Sequence, residues 1–144
     1  MNRPLKFRVW MTIRCEMIHS DRVFLDLITH PDIWNCVPMQ FTGLLDSNKV
    51  EIYEGDIVRC WYMEDYRDDL TPEELDPTSD EYVPVESTVH TVKYMADEDY
   101  PAFELDPPVY GETNGIQYFK VAGRIEVVGN VFENPELLTN QTKP

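Results

Sequence analysis

Apolar and polar residues alternate along much of the chain, in short runs separated by turn-forming residues. The first run, residues 5–13, has apolar side chains at every second position. Period two is typical of a strand with one buried face. Trp10 falls on the polar face of this strand, so we expect it either to cap the outer surface or to contact a second element. After a turn, residues 14–19 are predicted to continue as a second strand.

The next stretch is less regular. Residues 22–29 fit either a strand or a short helix, and Pro31 ends either one. Residues 30–32 are predicted to form a turn. The run 34–41 contains Pro38, which lacks the N–H group that an interior strand needs. We therefore expect this run to be an edge strand or an extended connection.

A hairpin and a sharp turn form the clearest segment of the sequence. Apolar residues from Phe41 lead into the polar turn 46–49, and residues 50–53 alternate again. A second tight turn follows, in which Gly55 is predicted to supply a positive φ angle. Residues 57–62 then form a β-rich run, predicted to be a central strand.

The C-terminal part adds further short strands. Residues 87–95 and 102–105 are predicted to pair as a hairpin, and residues 116–121 and 124–131 as two more strands. Residues 132–138 are predicted to form a turn and one short helical turn. The total of about six to eight short strands indicates a mainly β fold. A small barrel or roll fits best, because it leaves few exposed sheet edges.

Length and charge narrow the class of protein. A chain of 144 residues is the size of one ordinary domain, so residues 1–144 are predicted to form a single domain. Its 27 acidic and 12 basic residues give a net charge of −15, which repels phosphate backbones and anionic membranes. Direct nucleic-acid or membrane binding is therefore not expected. Basic proteins, or metal ions at low affinity, are the expected charged partners, although charge also simply keeps many proteins dispersed.

The acidic residues concentrate in an insertion at about residues 62–86. Residues 64–86 contain ten acidic residues and one basic residue, and residues 97–106 contain five more acids. If both segments lie on one side, they form a negative face that resembles a DNA backbone and fits a basic groove. The candidate partner-binding residues are Tyr62, Asp65, Tyr66, Asp68, Asp69, Glu73 and Glu74. The alternative is a solvated loop without a partner.

No spacing of residues indicates catalysis or a metal site. The three cysteines, Cys15, Cys36 and Cys60, lack a C-x-x-C motif, so small buried thiols in a reducing compartment are expected rather than disulfides or zinc ligands. The three histidines, His19, His30 and His90, stand far apart. A Cys60–His90 pair would need a lowered thiol pKa and an oriented imidazole. We expect no catalytic residues, no cofactor and no metal.

Segments that direct a chain to or across a membrane are not evident. The basic residues near Met1 are not followed by an apolar run, as a secretory signal requires. No stretch approaches about 18 apolar residues, the length of a membrane-spanning helix. We therefore expect a soluble protein of the cytoplasm.

Three segments together resemble the YopX family of phage and prophage proteins. They are Lys6 to Trp10, Met39 to Leu44 continuing through Glu51 to Val58, and Glu126 to Leu138. Their order and spacing match the family, residues 87–105 fit it more loosely, and the acidic stretch 62–86 departs from it. The resemblance implies an SH3-like β-barrel or roll encoded by a phage or prophage, in the host bacterial cytoplasm. It implies no enzymatic activity and no catalytic residues.

The motif residues also have a structural interpretation of their own. Glu54 and Asp56 are expected to build a turn by accepting backbone N–H groups, rather than to form a catalytic carboxylate pair. Asn130 and Asn134 are expected to bond to backbone, and Phe132 to pack into the core. Three functions remain open: a non-enzymatic accessory protein that binds another protein, an acidic DNA mimic that inhibits a host DNA-binding protein, and a structural homo-oligomer.

Overall fold

A computed structural model describes five stretches of the chain, with the backbone alone at a few positions within its helices and strands. The described residues are 5–19, 25–64, 83–95, 102–109 and 114–139. They contain eight strands and four short helices.

The first sheet has four antiparallel strands in the order β2-β1-β3-β4. Its strands are β1 (Phe7–Met11), β2 (Glu16–His19), β3 (Cys36–Leu45) and β4 (Glu51–Tyr53). The first half of β3 pairs with β1 and the second half with β4. Pro38, opposite Val9 in the half that pairs with β1, therefore lies where β3 has one described neighbour strand. The prediction of an edge strand is confirmed for the half of β3 that contains Pro38. The whole strand is longer than expected.

Two short helices connect β2 to β3. The ambiguous run 22–29 contains helix α1 (Leu25–Thr29), so the helical alternative holds for its described part. Residues 30–32 were predicted as a turn, but Pro31 opens helix α2 (Pro31–Trp34). Proline is favoured in a first helical turn because its N–H would have no partner there anyway. Asn35 ends α2 in the left-handed conformation, with φ of 49°.

The second sheet is also antiparallel, in the order β7-β6-β5-β8. Its strands are β5 (Asp56–Glu64), β6 (Val83–Met95), β7 (Ala102–Asp106) and β8 (Gly123–Asn130). The predicted hairpin of residues 87–95 and 102–105 is present as β6 and β7. The predicted central strand is β5, which pairs with β6 on one side and β8 on the other.

Residues 116–121 form a helix, so their prediction as a strand is wrong. Helix α3 (Gly115–Ala122) begins at Asn114, whose side chain accepts a hydrogen bond from the N–H of Gln117. Ile116 and Phe119 stand three positions apart and are both fully buried, which is helical periodicity. The short apolar run fitted both periods, and the N-cap asparagine was the signal that was missed. Helix α4 (Glu136–Thr139) provides the predicted final helical turn.

The main core lies between the second sheet, α3 and β4. Its fully buried side chains come from each of these elements and include Ile52, Val58, Leu105, Phe119 and Ile125. Burying side chains of this size is the principal favourable term in folding. Helix α3 thus covers the apolar face of the second sheet.

Strand β1 departs from simple alternation, because Arg8, Val9 and Trp10 are all buried. The face of β1 that was expected to be polar and exposed therefore carries buried side chains. Phe132 covers Trp10, with the two rings stacked at 5.3 Å and an interplanar angle of 14°. Of the two expectations for Trp10, contact with a second element is the one confirmed.

The described strands form two curled antiparallel sheets, a half-barrel, which confirms the predicted mainly β fold of barrel or roll type. The turn at Gly55 joins the sheets, since β4 belongs to the first and β5 to the second. Gly55 has φ of 85°, as expected. The extent of the single domain, residues 1–144, stays a prediction.

Candidate functional site

A buried ion pair links the two sheets. Nη2 of Arg8, on β1, lies 2.8 Å from Oδ1 of Asp56, the first residue of β5. Their side chains are 5% and 2% exposed. Oδ2 of Asp56 also accepts a hydrogen bond of 2.7 Å from the N–H of Tyr53. The turn-building role expected for Asp56 is therefore confirmed, and the same carboxylate holds a buried cation that the sequence analysis did not single out.

The nitrogen atoms of the Arg8 guanidinium differ in their hydrogen-bond partners. Nη2 also donates to the carbonyl of Glu54 at 3.2 Å and contacts Sδ of Met39 at 3.8 Å. The Tyr53 ring lies 4.8 Å from Cζ, within the range of a cation–π contact. Nε is buried and has no hydrogen-bond acceptor among the described residues. Because an unpaired buried donor is costly, this atom requires an explanation.

The titratable groups around the ion pair have shifted pKa values. Burial raises the pKa of Asp56, and the charge of Arg8 opposes that shift. Burial and the hydrogen bond to Glu51 raise the pKa of Tyr53 to about 12. The pKa of Glu51 is lowered, chiefly by its hydrogen bond from Lys6, whose Nζ lies 2.5 Å away. At neutral pH both carboxylates of this cluster therefore have a cationic partner.

A cavity of about 310 Å³ opens over this cluster, and we refer to it as the junction pocket. It is lined by Arg8, His19, Val50, Glu51, Tyr53, Asp56 and Val127. The ring of His19 lies edge-on to that of Tyr53, with centroids 6.2 Å apart. The pocket combines apolar walls with a few polar groups, as small-molecule sites do. Arg8 stands at a polar position of the alternating run 5–13, so the sequence pattern gave no signal for this pocket.

The third motif packs beside the junction. Oδ1 of Asn130 accepts hydrogen bonds from the N–H groups of Phe132 and Glu133, and Oδ1 of Asn134 accepts one from the N–H of Asn130. The expected backbone role of both asparagines is confirmed. Phe132 is half-buried against Trp10 rather than fully inside the core. The three motifs therefore meet in space, through side-chain contacts that hold the two sheets together.

The hairpin turn 46–49 covers the outer edge of β8. Oδ2 of Asp46 accepts a hydrogen bond from the N–H of Val127 at 2.9 Å. Ser47 bonds to both the N–H and the carbonyl of Ile125. Oδ1 of Asp46 accepts from the N–H groups of Asn48 and Val50, which fixes the turn itself. Backbone groups that would otherwise be open at this sheet edge are thereby paired.

The Cys60–His90 pair does not form. Nε2 of His90 lies 2.7 Å from the hydroxyl of Thr88, and Nδ1 lies 2.6 Å from the carbonyl of Pro107. Because a carbonyl only accepts, Nδ1 carries the proton, and Nε2 accepts from Thr88. Burial lowers the pKa of His90 and raises the pKa of Cys60 to about 12, the opposite of what a thiolate–imidazolium pair requires.

The other two thiols differ in exposure. Cys36 and Cys60 are buried, but Cys15 is exposed, which corrects the expectation for that residue. Cys15 lies in the turn between β1 and β2, with φ of 53°. It is therefore not part of either face of the sheet. Within the described stretches, no group of three or more metal-ligating side chains is present.

The candidate residues of the acidic insertion are almost entirely outside the described residues. This holds for Asp65, Tyr66, Asp68, Asp69, Glu73 and Glu74. Tyr62 belongs to β5, where its backbone pairs with Glu86 and Gly123. Their role as a binding surface stays a prediction.

Exposed apolar side chains gather at one end of the first sheet. The N–H of Thr12 donates to the carbonyl of Asn35, which brings the β1–β2 turn beside the end of α2. Large apolar residues with substantial exposure flank this bond on both segments and at the start of β3. They are Ile13, Ile33, Trp34 and Val37, which we call the end patch. Sequence periodicity did not indicate it, because its members come from a turn, a helix and a strand.

The chain is similar to known proteins both in sequence and in fold. The family model of the YopX protein matches residues 6–139, most of the chain. A crystal structure of protein EF1440 from Enterococcus faecalis is similar in fold, with a TM-score of 0.58 and 22% sequence identity, over 95% of this chain and 99% of that one. No curated protein matches the chain. None of the described helices is long and apolar enough to cross a lipid bilayer. From the motifs and the extent of the match, the chain belongs to the YopX family.

Proposed function

We propose that this protein is a non-enzymatic accessory protein of a phage or prophage, and that it acts in the host bacterial cytoplasm by binding another protein. The observation that carries the proposal is the end patch. Ile33 is 70% exposed and Trp34 49% exposed, on a four-residue helix that presents both to solvent. Exposed tryptophan beside aliphatic side chains is typical of the centre of a protein interface.

The charge of the chain supports a basic partner. A net charge of −15 accelerates association with a positively charged surface and disfavours acidic partners. The end patch would supply apolar contact area, and the net negative charge of the chain would supply long-range attraction. Protein interfaces commonly have an apolar centre and a polar rim.

Affinity capture from host lysate tests this proposal. The native chain is compared with a variant that lacks part of the end patch and with a control variant changed elsewhere on the surface. The double variant Ile33→Ser, Trp34→Ser removes the two members of the end patch that lie on α2. Val121→Ser removes another exposed apolar side chain, on α3, which is 66% exposed. The expected result is a partner that the native chain and Val121→Ser retain and the double variant loses. A partner that all three retain equally would contradict the role of the end patch.

A second candidate is the acidic DNA mimic, favoured by the ten acidic residues within 64–86. In this case the partner is a DNA-binding protein, and the complex dissociates in high salt or on addition of competing DNA. Replacing the acids of residues 64–76 by Asn and Gln should then abolish capture without affecting folding. A complex that resists both salt and competing DNA would exclude mimicry and leave apolar docking.

A structural homo-oligomer is the third candidate. Light scattering distinguishes it from the first two, because a sharp multimeric mass supports self-assembly and a monomer at high concentration contradicts it. If the end patch mediates self-association, the Ile33→Ser, Trp34→Ser variant should be monomeric and Val121→Ser should remain multimeric.

A further inference from the structure

The hydrogen bonds of β1 show which backbone groups of its neighbour β2 point away from the sheet. Just before β1, the carbonyl of Lys6 accepts from the N–H of Phe41. Just after β1, the N–H of Thr12 donates to the carbonyl of Asn35. The β1–β3 register is constant between these two bonds, and the residues of an antiparallel strand bond alternately to either side. The even-numbered residues of β1 therefore bond to β3, and the odd-numbered residues to β2.

This alternation leaves the outer edge of β2 open. In the β1–β2 register, odd-numbered residues of β1 lie opposite Glu16 and Ile18, whose backbone groups therefore face β1. The N–H and carbonyl groups of Met17 and His19 consequently point outward. Among the described strands, β1 is the single neighbour of β2. The outward groups of Met17 and His19 thus form a short row of donors and acceptors along the edge of the first sheet.

Three other sheet edges in the described stretches are closed. Pro38 has no N–H group to present on the outer side of β3. On β7, the side chain of Glu104 accepts from the N–H of Leu105 at 2.8 Å, and the turn 46–49 covers β8. Proteins close their edges in such ways because an open edge strand pairs readily with another chain. Strand β2 has no proline, no lysine and no register irregularity.

The side chains of β2 define what kind of strand fits beside it. Met17 and Ile18 are half-buried on opposite faces of the sheet. Glu16 shares a face with Ile18, and its contact of 3.5 Å with Arg14 joins two exposed side chains, a pair that contributes little energy. Cross-strand pairing therefore favours aliphatic residues opposite Met17 and Ile18 and a lysine or arginine opposite Glu16.

We propose that β2 accepts an extended segment of a basic partner protein as an added, antiparallel strand of the first sheet. In strand addition, main-chain hydrogen bonds provide affinity and alternate side chains provide specificity. The segment has two aliphatic residues, opposite Ile18 and Met17, followed by a basic one opposite Glu16. A second copy of this chain is disfavoured as occupant, because two chains of net charge −15 repel each other. The inference rests on the proposed function, to which it adds a mode of binding.

NMR titration with the peptide acetyl-Lys-Thr-Val-Val-Lys-Thr-amide tests this mode. Binding should be saturable, should shift the amide signals of Met17 and His19 and should slow their hydrogen exchange. The amides of Glu16 and Ile18 already face β1 and should exchange as before. N-methylation of the second valine, opposite Met17, removes a hydrogen bond to the edge and should weaken binding about tenfold or more. N-methylation of the first valine, whose N–H points away from β2, should have little effect.

Two variants of the protein complement the methylated peptides. Met17→Pro removes the outward N–H, at a position where an edge strand tolerates proline, and should lose peptide binding. Met17→Val changes the side chain and keeps the N–H, and should bind as the native chain does. The methylated peptides act on the native chain, so they remain decisive if Met17→Pro does not fold. Absence of saturable binding, or equal binding of the two methylated peptides, would overturn the proposal.

Two further outcomes separate this inference from its alternatives. A dimer in light scattering that Met17→Pro abolishes would identify a second copy as the occupant and overturn the proposal of a basic partner. A partner captured from host lysate equally by the native chain and by a folded Met17→Pro variant, without peptide binding, would overturn strand addition. The proposed function would then stand through the end patch.

Discussion

Arg8 and Asp56 form an ion pair of 2.8 Å whose side chains are almost fully enclosed. One residue lies in the N-terminal motif on β1, the other at the start of β5, so the pair joins the two sheets through charge. A buried pair contributes little net stability compared with apolar residues of the same shape, but either partner alone is strongly destabilising. The pair therefore specifies how the sheets meet.

The first prediction concerns this pair. Arg8→Met leaves the Asp56 carboxylate buried and uncompensated, and should lower the free energy of unfolding by about 3–5 kcal/mol. The double variant Arg8→Met, Asp56→Leu should recover most of that loss, because no charge is left buried. Urea denaturation measures both. Lys6→Met, which breaks the half-exposed pair with Glu51, is the matched control and should cost less than about 1 kcal/mol. Equal losses in Arg8→Met and Lys6→Met would refute a special role for the buried pair.

The second prediction concerns the hairpin turn that covers β8. Asp46→Ala removes the acceptor of the N–H groups of Asn48, Val50 and Val127. Three part-buried donors left without this acceptor should together lower the free energy of unfolding by about 2–3 kcal/mol. Hydrogen exchange at Val127 should accelerate as well, because its amide loses its partner. Asn48→Ala, in the same turn, removes an exposed contact with Glu126 and should cost less than about 1 kcal/mol. An unchanged exchange rate at Val127 in Asp46→Ala would show that the turn does not protect the edge.

The third prediction is a pH dependence caused by His90. Burial lowers the pKa of its imidazole below the ordinary value of 6.5, so the unfolded chain binds a proton there before the folded chain does. Folding stability from this residue is therefore present above pH 6.5 and is lost as the pH falls from 6.5 to the lower folded-state pKa. The difference in unfolding free energy between the native chain and His90→Gln should shrink as the pH is lowered through this window. His30→Gln, at an exposed position, should follow the native chain. A difference that grows on acidification would contradict the direction of the shift.

The fourth prediction concerns thiol reactivity. Cys15 is exposed, and Cys36 and Cys60 are buried with raised pKa values. An aromatic disulfide reagent should modify Cys15 rapidly in the folded protein and the other two only in urea, since both access and the thiolate form are then restored. Mass spectrometry of the labelled protein measures the order of modification. Rapid labelling of Cys60 in the folded state would show that the second sheet opens more readily than its core packing indicates.

The family resemblance located three segments but not the reason that they occur together. In the folded chain the Arg8–Asp56 pair joins the first two, and the stacking of Trp10 on Phe132 joins the first to the third. The N–H of Val131 also donates to the carbonyl of Gly55 at 2.9 Å. These contacts explain the motifs structurally, as the residues that fix one sheet against the other. The junction pocket is a consequence of that arrangement.

Local sequence patterns determined the mainly β class, most strand positions, the turn at Gly55 and the backbone roles of Asp56, Asn130 and Asn134. All of these depend on interactions within a few residues, where side-chain period and turn chemistry decide the outcome. Tertiary structure alone decided that Arg8 is buried and that exposed apolar residues from three elements gather in the end patch. Those features depend on which segments cover one another, and a short run of side chains carries no information about what will pack against it.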